Sequence, residues 1–239
     1  MKAHTSETQA TINPPKALQI LKEGNARFVN NLRINRDLLQ QANETREGQW
    51  PFAAILSCID SRTSAELIFD QGLGDIFSIR IAGNIVNTDI VGSLEFACKV
   101  AGSKLIVVLG HNHCGAVKAA CDQIEMGSLT ELLAKIRPAV IHEHVTKDPE
   151  KRNSKNPEFV ANVTVNNIEQ SVHTIVRRSI ILEEMIRKGE IAIIGGEHDL
   201  ATGQVKFFDY TYVDHQSIDT IQEQLDSKST AVKPAEVTR

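Results

Sequence analysis

Four short runs, at residues 52–58, 76–81, 105–109 and 191–194, constrain the fold of this chain more than any other feature. They are rich in Ile, Val and Phe and apolar on both faces, as expected of strands buried inside a largely parallel sheet. Strands that need cover on both faces need helices above and below them. The intervening segments supply these: residues 64–70, 89–100, 116–126, 129–144 and 159–188 read as helices, the last long enough to be broken. Alternation of this kind predicts an α/β fold with an open, mostly parallel central sheet flanked by helices. Pro14-Pro15 opens one more amphipathic helix, with Leu18, Leu21, Ala26 and Val29 near helical spacing, as an N-terminal helical arm.

The length of 239 residues, 41% of them hydrophobic, suits one such domain over 1–239, with flexible tails expected at 1–12 and from about 222 to 239. Residues 147–157 (KDPEKRNSKNP) form a polar, breaker-rich loop within it, and from Val213 onward the chain reads as a solvated tail with one short helix. No apolar run approaches the roughly 18 to 20 residues of a membrane span, and the opening MKAHTSETQA lacks the apolar segment of a signal peptide. The expectation is a cytoplasmic protein with no membrane partner. A net charge of −4 with no basic stripe argues against nucleic acid as a partner. Without an export signal, Cys58, Cys98, Cys114 and Cys121 read as thiols or metal ligands rather than a disulfide framework.

Two stretches carry chemistry. SCIDSR, residues 57–62, follows the first strand and sets Cys58, Asp60 and Arg62 at alternate positions, which share one face of an extended segment. LIVVLGHNHCG, residues 105–115, is a buried strand running into His111, His113 and Cys114. In an open parallel sheet, sites form at the carboxyl ends of strands, where both Cys58 and His111 lie. Cys114 is about one helical turn beyond His111 and can reach the same point, whereas His113 adjoins Cys114 and adjacent side chains diverge, so the spacing favours His111. Two thiolates and an imidazole suit zinc with a fourth position left for water. Cys98 and Cys121, beside apolar neighbours at helical positions, read as packing residues, and His4, His142, His144, His173, His198 and His215 as ordinary surface or core residues.

Cys58-x-Asp60-Ser-Arg62 followed by Gly110-His111-x-x-Cys114-Gly115 resembles the beta class of carbonic anhydrases. The resemblance extends from the helix at Pro15 through Gln49-x-Pro-Phe52, Arg80-x-Ala-Gly-Asn84 and Gly92-Ser-Leu-Glu95 to Asp199-Leu-x-Thr-Gly203-x-Val205, which is most of the chain. It implies one zinc ion per chain held by Cys58, His111 and Cys114, with Asp60 and Arg62 as a dyad beside the fourth coordination position. It implies reversible hydration of CO2 to bicarbonate by zinc-bound hydroxide, Gln49 and the backbone at Gly115 contacting a substrate oxygen, and Phe77 and Phe96 forming an apolar wall. Self-association follows too, as a dimer with clefts near the subunit boundary or as a tetramer. Ile59, Thr63 and Ile81 depart from the usual family residues, and Phe96 stands where a tyrosine is common. The inhibitory bicarbonate pocket of some members is matched only at Arg80, with Ile55 and His198 replacing its aromatic residues, which places the chain with the constitutively open subclass.

Three other functions compete. A related zinc hydrolase acting on another heterocumulene such as CS2 would use the same residues. A structural zinc module or thiol sensor would need a fourth protein ligand and has no use for a charged dyad. A phosphate or nucleotide binder, suggested by Gly72-Leu-Gly74, lacks a glycine-rich strand-to-helix fingerprint.

Overall fold

Ala53–Ser57 (β1) is buried along its whole length, because it lies inside a sheet rather than at its edge. The computed structural model describes residues 3–220 and pairs β1 in parallel with Ile76–Arg80 (β2) on one side and Leu105–His111 (β3) on the other. Beyond β3 lie Ala192–His198 (β4), again parallel, and Val205–Val213 (β5), antiparallel to β4, giving the order β2-β1-β3-β4-β5. The open, mostly parallel sheet is therefore as the sequence implies.

The helices are Ser6–Ala10 (α1), Pro14–Val29 (α2), Leu38–Glu44 (α3), Ala65–Ile68 (α4), Thr88–Glu95 (α5), Gly115–Cys121 (α6), Gly127–Ala134 (α7), Arg137–Ile141 (α8), Pro157–Arg178 (α9) and Ile180–Arg187 (α10). Side chains alternate across the strands. Ala54, Leu56, Ile106, Val108 and Ile193 meet α5, α9 and α10 on one face. Ile55, Leu105, Val107, Leu109 and Ile194 meet α2 and α4 on the other. Each fully buried Leu, Ile or Val contributes about 1.5–3 kcal/mol, which fixes the register and hence the level at which the strands end. No described helix is long and apolar enough to cross a membrane.

Several expectations need correction. The helix expected over 129–144 is two, α7 and α8, since Pro138 has no N–H to continue the ladder. The long helix over 159–188 breaks at Ser179, which turns extended and caps α10 by accepting from the Leu182 amide. The N-terminal tail expected over 1–12 includes α1, anchored by Gln9, whose amide donates to the carbonyls of Pro51 and Ala101. Val213 is not the start of a solvated tail but the buried end of β5, and Ile218 is buried after it. The expected tail over about 222–239 lies outside the described residues.

Candidate metal centre

The parallel register brings the carboxyl ends of β1 and β3 side by side, with Ser57 opposite Leu109. Cys58 follows β1 directly, His111 closes β3, and Cys114 immediately precedes α6. All three are buried, and their candidate ligand atoms lie within 4.8 Å of one another. Among the described residues, no other group of three or more His, Cys, Asp or Glu side chains gathers in this way. The sulfurs of Cys58 and Cys114 are 4.0 Å apart, close to the roughly 3.8 Å expected of two sulfurs bound tetrahedrally to one zinc ion. Of this pair, Cys58 gives up its proton more readily than an isolated thiol, because Cys114 donates to it, with smaller help from the Gly83 amide against the cost of burial. Nδ1 of His111 is 2.8 Å from the Asn112 carbonyl, while Nε2 is buried and has no hydrogen-bond partner. A soft sulfur pair beside an unpartnered imidazole nitrogen fits zinc. His113 is exposed, in a left-handed conformation at φ 56°, and stands outside the cluster.

The turn after Cys58 is fixed by donors converging on its backbone. Asp60 O accepts from the Thr63 amide at 3.0 Å, the Thr63 hydroxyl at 2.9 Å and Arg80 Nη2 at 2.6 Å, while Arg80 Nε donates to Cys58 O at 3.1 Å. The Asp60 carboxylate then faces Arg62, accepting from its amide at 3.0 Å, from Nε at 2.9 Å and from Nη2 at 2.8 Å. Arg62 thereby holds the Asp60 carboxyl well below the usual carboxylate range. Oδ2 of Asp60 is 3.9 Å from Nε2 of His111, so the dyad borders the cluster.

Residues to which the sequence assigned no part in the cluster complete the surroundings. Gly83, at φ 65°, donates its amide to the Cys58 sulfur at 3.3 Å, and an added Cβ would meet Ile136 at 2.6 Å. Its turn is held from α9 by Asn167, which donates to Gly83 O, and by Ser171, which donates to Asn84 O. These polar residues are buried on a helix whose pattern looks merely amphipathic, so only the tertiary contact reveals their use. His198 lies opposite His111 in the β3–β4 register, is buried, and has neither ring nitrogen hydrogen-bonded; burial, and then His111, depress its pKa. Cys98 and Cys121 stay outside the cluster as neutral thiols, each pushed up to about 12 chiefly by burial.

The expected substrate contacts are not all brought together. Gly115 adjoins Cys114, is exposed, and has open space where a side chain would be. Gln49 is exposed in the coil before β1. Phe77 and Phe96 touch edge to face, with ring centroids 6.4 Å apart. However, Phe77 pairs with Ala54, four residues before Cys58, hence about 13 Å along the strand from the cluster.

Comparison with known proteins adds a family. The model described as carbonic anhydrase matches residues 53–205. Carbonic anhydrase 2 of Mycobacterium tuberculosis is 35% identical over 204 residues, covering 83% of this chain and 94% of that protein. A carbonic anhydrase of Mycolicibacterium smegmatis is 34% identical over 201 residues, covering 81% and 93%. Among solved structures, the beta-carbonic anhydrase CafA of Aspergillus fumigatus superposes with a TM-score of 0.65 at 23% identity, covering 88% of this chain and 97% of that one. One of two tetrameric beta-carbonic anhydrases from Sordaria macrospora does so with 0.60 at 24% identity, covering 70% and 84%.

Proposed function

Because the chain belongs to the carbonic anhydrase family, in its beta class, we propose that it hydrates CO2 reversibly to bicarbonate and a proton at a zinc ion held by Cys58, His111 and Cys114. Zinc held by these three residues would supply a Lewis acid that lowers the pKa of a water and so provides the nucleophile near neutral pH. The carboxylate of Asp60, kept ionised by Arg62, would accept a hydrogen bond from the attacking oxygen and so orient it toward the carbon of CO2. Arg62 also keeps Asp60 from turning toward the metal, and Arg80 fixes the backbone from which Asp60 hangs. The open space at Gly115 supports an approach for substrate beside Cys114, and Gln49 is assigned to a substrate oxygen on resemblance.

The observation that carries this reading is the arrangement of three metal-type ligands with a charged dyad at its border. A closed structural site would need a fourth ligand, and none of the described residues joins the three. Self-association belongs to the same proposal. Phe77 lies about 13 Å along β2 from the level of its own Cys58, with Phe96 packed against it, so the pair is assigned to the cleft of a second copy, and a relative from Sordaria is tetrameric. Zinc content and CO2 hydration measured on one preparation test the reading: stoichiometric zinc without hydration would leave a metal site but remove the activity.

A further inference from the structure

The β4–β5 turn at residues 199–203 is tightly closed, with the Asp199 amide donating to Gln204 O at 2.9 Å and the Gly203 amide to Asp199 O at 2.8 Å, yet it contributes nothing to the ligand set. Its reach is toward the end of β3. Asp199 Oδ1 accepts from Asn112 Nδ2 at 3.0 Å, and the Leu200 amide donates to Asn112 Oδ1 at 2.9 Å. Because one contact is a donor and the other an acceptor, they also fix which end of the Asn112 amide is which. The Asn112 backbone amide donates to His198 O at 3.2 Å, so this residue is tied down by both its side chain and its main chain.

Its carbonyl is the group that meets Nδ1 of His111 at 2.8 Å. A carbonyl has no proton to give, so Nδ1 carries the hydrogen and Nε2 presents a lone pair. That nitrogen is buried without a hydrogen-bond partner. We propose that Asn112 and Asp199 form a latch that sets the tautomer and ring orientation of His111, making both of them positioning residues for the metal. The inference rests on the reading of Cys58, His111 and Cys114 as zinc ligands. Groups that orient a ligating histidine in this way are worth about 10–100-fold in metal affinity.

The test uses the zinc-loaded protein and two readouts: the rate of zinc release to excess chelator, and histidine nitrogen NMR for a slowly exchanging Nδ1 proton on His111. Asn112→Ala and Asp199→Ala should release zinc about 10–100-fold faster and lose that proton's protection. Asp199→Asn should stay near the parent, because it can keep an oxygen where Asn112 and the Ala201 amide share one. If Asn112→Ala does not fold, the two substitutions at Asp199 decide the matter. Asn25→Ala is the control. Asn25 braces the same turn through Gly203 O and the Val205 amide without touching Asn112. Equal acceleration in Asn25→Ala, or parent-like release with a protected proton in both alanine variants, would overturn the latch. His111→Ala separates the two levels: full zinc retention there would overturn the ligand assignment and the latch with it, whereas loss there beside parent-like latch variants would overturn the latch alone.

Discussion

The Asp60 carboxylate is gripped by Arg62 at 2.9 and 2.8 Å while one of its oxygens lies only 3.9 Å from Nε2 of His111. A carboxylate that close to a nitrogen proposed to bind the metal is itself a potential ligand, so on the proposed function the grip decides whether the site is open.

Arg62→Ala should therefore keep its zinc and lose CO2 hydration by about 100-fold or more, because the released carboxylate takes the position that water needs. Asp60→Asn should lose a similar factor for another reason, the missing ionised acceptor. Cobalt-substituted protein distinguishes the two: added anions should perturb the visible spectrum of Asp60→Asn and leave Arg62→Ala unchanged. Near-parent turnover in Arg62→Ala would remove the restraint role.

Zinc should bind at one ion per chain and be lost, together with activity, in Cys58→Ser, His111→Ala and Cys114→Ser. His113→Ala should keep both, since His113 is exposed and outside the cluster. Metal analysis after dialysis checks this, and loss of zinc in His113→Ala would show that the ligating histidine was wrongly chosen.

Much of this was legible in the sequence for a physical reason. β1 and β3 are buried on both faces, so their composition marks them as interior strands, and the clustered Cys58, His111 and Cys114 follow at or just after the ends where a parallel sheet forms sites. β5 was missed because it is an edge strand with Lys206, Asp209 and Tyr210 interrupting its apolar pattern. Asn112, Asn167 and Ser171 were missed because a polar side chain announces nothing until its partner, distant in sequence, is known. Phe77 and Phe96 were assigned to a cleft by resemblance, and the strand register places Phe77, against which Phe96 packs, about 13 Å along the sheet from Cys58 in its own chain.

Stability should depend on a second carboxylate. Asp70 is 3% exposed and accepts from Arg27, Arg36 and the Ile34 amide. Burial opposes its charge, but these partners outweigh it and lower its pKa. A depressed folded-state pKa gives stability that is present above the unfolded value near 3.9 and lost as pH falls through the folded value. Asp70→Asn strands the buried Arg36 and should cost about 3 kcal/mol in urea unfolding at neutral pH. The gap between parent and variant should shrink progressively below about pH 4, and a gap independent of pH would contradict the ion-pair account.

The association prediction rests on where two aromatic rings are placed. Phe96 is 52% exposed and packs on Phe77, which belongs to β2, the strand at the sheet's edge. In an isolated chain Phe96 leaves apolar area in water, and Phe77 lies about 13 Å along the sheet from the level of its own Cys58. On the proposed association, a second copy would bury the rings and receive them as a wall beside its metal centre. Sedimentation should find the chain at least dimeric, and Phe96→Glu should shift it toward monomer while hydration falls, with zinc content unchanged because no ligand is touched. A monomer that turns over at the parent rate would separate the rings from the active site and end this assignment.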